Sequence, residues 1–273
     1  MRRKKKKINR YLFPLLCFAI LYWCYYSQQR NTSESNTSEQ RTELPEGLPK
    51  GDTAYLPTTQ KGSLQYRKHY TLSYAGEDRL TEWVAYELTR SELIKKVERS
   101  GKFRKDPNLK NCVTAKDYKG SGYDRGHLAP AGDMTFSEQA MEESFFMSNM
   151  APQVPAFNRG IWKKAEEQIR EWVKNEGTLY VVTGSLWTET SERMAACKIP
   201  IPDYFYKTVF DMQTPSKGMI TFCIPNKALR GSPFDYVITV DSLEKLTGID
   251  FFSQLPDTIE EALEKEVKKQ LWR

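Results

Sequence analysis

The sequence predicts an α+β fold built on a mixed or antiparallel sheet, and three observations support this. Runs rich in Val, Ile, Thr, Tyr and Phe are bounded by Gly, Pro or Asp, which is the pattern of strands. Segments with apolar residues at helical spacing lie among them. The two kinds intermix without the regular alternation that builds a parallel βαβ sheet.

Strands are expected at Tyr70–Tyr74, Trp83–Leu88, Thr178–Thr183, Tyr204–Phe210, Met219–Ile224 and Tyr236–Val240. One helix is marked by Ile161, Ala165, Ile169, Trp172 and Val173, with Gly177 as its stop. A second is expected over Ser137–Ser144. An amphipathic helix from about Thr258 to Leu271 closes the chain. No internal repeat is present.

The chain has 273 residues, 39% hydrophobic and 28% charged, enough to bury a sizeable core. Its net charge of +6 misleads. Residues 1–10 hold seven cations and no acid, and without them 34 basic residues face 35 acidic ones, a net of −1. The body is therefore not a globally basic binder, and attraction for phosphate has to come from a local patch.

Residues 11–26 are free of charge and follow the basic run directly. They read as a signal anchor or a removable signal peptide. Bulky Trp23, Tyr25 and Tyr26 stand where a cleavage site wants small residues, which favours the anchor. The charge bias keeps residues 1–10 in the cytoplasm and sends the rest outward, to a bacterial envelope or the medium. A mitochondrial location is disfavoured, because the segment is Lys-rich and continuously apolar instead of Arg/Ser-rich and amphipathic. Residues 27–55 are polar and read as a flexible linker, with the catalytic-type domain over 56–273 and its globular body beginning near Tyr66. Cys112, Cys197 and Cys223 allow at most one disulfide, and free buried thiols fit equally well.

Two motifs carry chemistry. The first is Asp124-Arg125-Gly126-His127. An imidazole is suited to removing a proton near neutral pH, an arginine fork suits phosphate, and a glycine lets backbone approach a ligand. The second runs from Ser148-Asn149-Met150-Ala151-Pro152-Gln153 to Asn158-Arg159-Gly160-Ile161-Trp162 and Glu166. Glu166 lies about 12 Å along a helix from Asn158 and about 80° around it. The two are too far apart to grip one small ion together. A hard cation keeps several waters, so one amide ligand with a carboxylate acting through water fits that spacing.

These motifs, in this order, resemble the DNA/RNA non-specific endonucleases, which are ββα-metal nucleases. The resemblance runs from about Tyr66 to Phe252 and includes Trp83-Val84-Ala85-Tyr86, Thr183-Gly184 and Thr247–Phe252. It implies that His127 is the general base and Asn158 the direct ligand of Mg²⁺, Mn²⁺ or another divalent cation. Glu166 would act on that metal through water, Arg125 would contact phosphate, Asn149 would support the site and Asp124 would hold the motif's geometry. A further upstream arginine is implied, either Arg104 in Phe103-Arg104-Lys105-Asp106 or Arg99. Arg159 stands where relatives often carry Gln, which bears only on local substrate contacts. His69 matches no motif and is read as structural. The implied reaction is cleavage of DNA and RNA to 5′-phosphate and 3′-hydroxyl ends. The competing readings are a non-catalytic nucleic-acid binder on the same fold and a membrane-anchored interaction protein.

Overall fold

The computed structural model describes residues 55–211 and 218–273. The basic segment, the apolar segment 11–26 and residues 27–54 of the expected linker lie outside the described residues. Tyr55 corrects the linker's boundary. It is buried, with its ring 5.4 Å from Tyr180 and 6.1 Å from Phe210, so it belongs to the core. Among the described residues no helix is long and apolar enough to cross a membrane.

The architecture is the expected α+β. A seven-stranded sheet has the order β1-β2-β3-β6-β7-β8-β9. Its strands are β1 Ser63–Tyr66, β2 Thr71–Ala75, β3 Leu80–Thr89, β6 Thr178–Leu186, β7 Tyr204–Phe210, β8 Met219–Pro225 and β9 Val237–Ile238. Every neighbouring pair is antiparallel. A separate pair, β4 Asp124–His127 and β5 Met150–Gln153, is inserted between β3 and β6. The helices are α1 Glu138–Ser144, α2 Pro155–Phe157, α3 Lys163–Glu176, α4 Val240–Thr247 and α5 Asp257–Glu264.

Both sheet faces are covered, which is why the central strands read as nearly continuous apolar runs. Strand alternation sends Val84, Val181, Val209 and Phe222 to one face, where α3 lays Ala165, Ile169, Trp172 and Val173 on them. Trp83, Tyr180, Tyr206 and Phe210 point to the other, against Val240 and Leu243 of α4 and the segment containing Phe251 and Phe252. The ββα unit and α4 thus lie on opposite faces.

Two expected elements differ. The run Tyr236–Val240 contributes only the two-residue β9. Ser232 caps a 3₁₀ turn over Pro233–Tyr236, and Thr239 accepts from the Ser242 amide to start α4. The C-terminal helix stops at Glu264, and a 3₁₀ turn covers Lys269–Trp272. The reason is packing. Leu263 rests on the α4 side of the sheet, whereas Val267 and Trp272 pack on the α3 side, with Trp272 4.8 Å from Trp172. One straight helix cannot serve both faces. All three body cysteines are free, with Cys112 and Cys197 buried.

Candidate active site

The site is built on β4 and β5. Their register pairs Asp124 with Gln153 and His127 with Met150, and the Leu128 amide continues the ladder to the Asn149 carbonyl at 3.0 Å. Asn149 is fully buried. Its Oδ1 accepts from the Ala129 amide at 2.9 Å, and its Nδ2 donates to the Ala129 and Ser144 carbonyls. This side chain ties the residue two beyond His127 to the end of α1. Its neighbour Ser148 donates to buried Asp106, which also ion-pairs with Arg67. Gly126 has a packing role. A Cβ there would sit 2.1 Å from the Gln153 side chain, so the close approach that the sequence suggested is to Gln153 of the paired strand.

After β5, α2 runs into a π-helical turn over Asn158–Trp162 and then α3. Asn158 is helical and not an N-cap. Its Nδ2 donates to Asp124 Oδ2 at 2.9 Å, leaving Oδ1 without a donor among the described residues. Arg159 clamps the same carboxylate, with Nε to Oδ2 at 2.9 Å and Nη2 to Oδ1 at 2.7 Å. Burial alone would raise the Asp124 pKa, but the bonds from Arg159 and Asn158 outweigh it and hold the carboxyl below its ordinary value. Asp124 therefore anchors the helix entry to the histidine strand.

His127, Asn158 and Glu166 line one cleft of about 380 Å³, together with Arg99, Arg125, Arg159, Lys163 and Arg170. His127 is only 8% exposed, and its ring lies edge-on to Phe145 at 4.9 Å and tilted to Phe103 at 5.8 Å. Its Nε2 is buried without a hydrogen-bond partner. Burial, then the nearby Arg99, pushes the imidazole down to about 3, so it is neutral at physiological pH. The Arg125 guanidinium rests 4.2 Å from the Phe103 ring centre. Arg170 is fixed from behind: its Nη1 donates to Asp133 Oδ1 at 2.8 Å, and Tyr86 donates to the other oxygen at 2.7 Å.

Glu166 makes no ion pair or hydrogen bond within the described residues. Burial raises its pKa, while the cations of Lys207 and Arg170 pull it back. Lys207 is fully buried on β7, donating to Thr183 Oγ1 at 2.8 Å and Leu128 O at 3.4 Å. Burial lowers its own pKa, and Glu166 opposes that shift. Lys207 and Glu166 are thus near enough to act on each other's titration.

Five of the expected residues, His127, Arg125, Asn158, Arg159 and Glu166, therefore meet in one place, and Asn149 lies just beneath. Arg104 does not line this cleft. Its side chain ion-pairs with Glu142, and its backbone bridges to Phe146. Arg99, the other arginine considered, lines the cleft. His69, read as structural, bonds Glu143 Oε2 at 2.9 Å and does not line the cleft. Lys163, Arg170 and Lys207 were not singled out in the sequence. Arg170 carries a readable signal, because it stands four residues after Glu166 on one helix face. Lys207 carries one too, a cation alternating with Phe205 and Val209 on a strand.

A divalent cation fits this donor set. Hard cations take oxygen ligands, and the Asn158 amide oxygen and the Glu166 carboxylate are oxygens here that no cation among the described residues ion-pairs or hydrogen-bonds.

The chain matches the family model for DNA/RNA non-specific endonucleases over residues 51–258. It is 34% identical to the mitochondrial nuclease EXOG of Xenopus laevis, with the match covering 73% of this chain and 61% of that protein. It is 35% identical to a nuclease of Nostoc sp., covering 81% of this chain and 84% of the relative. Nuclease C1 of Cunninghamella echinulata is 34% identical over 73% of this chain and 86% of its own length. Among solved structures, that of the EndoG/EndoGI complex superposes with a TM-score of 0.66 at 28% identity, covering 81% of this chain and 95% of that one.

Proposed function

The chain belongs to the DNA/RNA non-specific endonuclease family, and we propose that its cleft hydrolyses phosphodiester bonds in DNA and RNA with His127 as general base. The observation that carries this reading is the meeting of His127, Asn158 and Glu166 in a single cleft walled by four arginines. Asn158 Oδ1 would hold Mg²⁺ or Mn²⁺ directly, with Glu166 acting through a water. The cation supplies charge neutralisation at the phosphoryl and leaving oxygens.

The protein's own groups do the rest. His127 accepts the proton of the attacking water; it is neutral and so able to accept one, although the burial and the Arg99 charge that keep it neutral also weaken it as a base. Arg99, Arg125 and Arg170 hold phosphate oxygens, each pre-set by a ring or a carboxylate behind it. Asp124 and Asn149 position the motif and touch no substrate. Contacts to phosphate carry no base information, which accounts for low sequence specificity and for action on both sugars. The products carry 5′-phosphate and 3′-hydroxyl ends.

Residues 1–10 and 11–26 are proposed to tether or export the domain to the bacterial envelope or the medium, through a linker that ends before Tyr55. Cell fractionation checks this, and full-length protein in the cytosol would overturn it. The test of the activity is digestion of plasmid DNA and of RNA by the purified chain, with Mg²⁺ and with EDTA. Cutting should require metal, and His127→Ala should lower it by roughly 10²–10⁴-fold. Magnesium-dependent cutting that survives this substitution would remove His127 from the mechanism. Binding without cleavage at any metal condition would favour the non-catalytic reading.

A further inference from the structure

On the sheet face opposite the cleft, α4 and α5 bring four carboxylates together. Asp241 and Glu244 are one turn apart on α4, hence on one side of it. Glu264, at the end of α5, faces them, and an oxygen from each of the three lies within 4.8 Å of the others. Glu260 lies one turn before Glu264 on the same helix.

Three further observations distinguish this cluster from an ordinary acidic surface. Glu264 is only 5% exposed, and its Oε1 has no hydrogen-bond partner. Glu260 Oε1 is likewise buried and unpartnered. None of the four is ion-paired with a lysine or arginine among the described residues, although Lys265, just past the end of α5, is engaged by Glu261 at 3.0 Å. Glu244 Oε1 accepts from the Phe251 amide at 2.8 Å, and the nearby cations Lys245 and Lys265 are exposed, so carboxylates gathered this closely around buried Glu264 are costly unless protons or a bound cation neutralise them. Burial first, then the surrounding carboxylates, pushes Glu264 up to about 9 and Glu260 up to about 7.

A proton is the competing account, because a protonated Glu264 carboxyl gains an O–H that donates to a neighbouring carboxylate, and the cation reading has to be separated from it by titration. Two oxygens bound to one Ca²⁺ at about 2.4 Å lie at most about 4.8 Å apart, and the three cluster oxygens all fall within that limit. An all-carboxylate set suits Ca²⁺ better than Mg²⁺, which demands a near-ideal octahedron and keeps its waters. The location gives the ion something to do. The N-cap position of α5, Pro256, makes no side-chain capping bond, so the helix lacks that anchor. We propose that Asp241, Glu244 and Glu264, with Glu260 beside them, form a second divalent-cation site of Ca²⁺ type that fastens α5 to α4. It is structural and separate from the catalytic cation, since the sheet lies between them.

The test uses the full-length chain carrying Asn158→Ala, stripped with EDTA, so that catalytic metal binding is weakened. Calorimetric titration with CaCl₂ should give one bound ion per chain, and thermal unfolding should shift upward on adding it. Asp241→Asn, at a half-buried position, should weaken binding by about tenfold or more, because affinity in such sites follows ligand charge. Glu264→Gln should do the same. In the otherwise unaltered protein, Asp241→Asn should leave Mg²⁺-dependent cleavage at its original rate. Absence of Ca²⁺ binding to the Asn158→Ala chain would overturn the proposal. So would an unchanged Ca²⁺ response in the Asp241→Asn/Glu264→Gln double variant. A Glu264→Gln chain that is more stable without metal, in a protein that ignores Ca²⁺, would identify Glu264 as a buried neutral acid instead.

Discussion

Arg99 and Arg104 show how far single residues can be read from sequence. Both lie in a loosely patterned stretch with no periodicity to orient them, and the compact string Phe103-Arg104-Lys105-Asp106 drew attention to the wrong feature. Phe103 does belong to the site, as a support under Arg125 and His127, but Arg104 is drawn off by Glu142. Arg99 reaches the cleft across the Phe145 ring, a contact formed between residues distant in sequence. Removing a preorganised cation at a phosphate should cost about 10²–10³-fold, so Arg99→Ala should lower kcat/KM by that order while Arg104→Ala stays near the parent. Equal losses from both would refute the assignment. His127 makes a second prediction, in stability. Its pKa falls from 6.5 in the unfolded chain to about 3 when folded. Between those values the unfolded state binds a proton that the folded state refuses, so stability is full above pH 6.5 and declines on acidification toward pH 3. The slope from this one group is at most about 1.4 kcal/mol per pH unit. Denaturant unfolding from neutral pH downward should show a shallower decline in His127→Ala than in the parent. Parallel curves would mean that the imidazole charges freely in the folded protein.

At the scale of elements, legibility followed burial. β7 was readable to its ends because all but its first residue are buried, and α1 because Ser137 caps it through the Ala140 amide. β4 and β5 were not readable as strands. Asp124-Arg125-Gly126-His127 and Met150-Ala151-Pro152-Gln153 contain no β-branched residue and no Phe, Tyr or Trp, and their pairing rests on register and on Asn149. The motifs were recognisable there, yet the pairing that makes them a unit was not. Gly126 expresses that pairing. Adding a Cβ places it 2.1 Å from Gln153, on the neighbouring strand. Gly126→Ala should therefore destabilise the fold by about 1–3 kcal/mol through overpacking. Shortening the obstacle in a Gly126→Ala/Gln153→Ala double variant should recover part of that loss. A Gly126→Ala protein with unchanged melting behaviour but no activity would restore the ligand-approach reading.

At the scale of the whole molecule the central quantity is charge, and its arrangement was invisible before folding. Outside the first ten residues the chain carries a net −1, which by itself argues against a polyanion as substrate. The fold resolves this by gathering Arg99, Arg125, Arg159, Lys163 and Arg170 around one cleft, while acids such as Asp241, Glu244 and Glu264 collect on α4 and α5. Not every cation is available to substrate. Arg159 is held by Asp124, and Arg170 shares its charge with Asp133. Release of counterions makes log affinity fall with log salt by about 0.9 per phosphate neutralised on duplex DNA. Three to five engaged cations then predict that KM for duplex DNA rises with salt with a log–log slope of about 2.7–4.5. Arg99→Ala should lower that slope by about one, whereas neutralising Lys95, an exposed cation paired with Glu98, should leave it alone. Single-stranded substrate should give a shallower dependence, about 0.7 per contact. A KM that does not respond to salt would mean that the phosphate backbone is held by neutral donors. The gathering of arginines in the cleft would then have to be explained by the stability of the ββα unit alone.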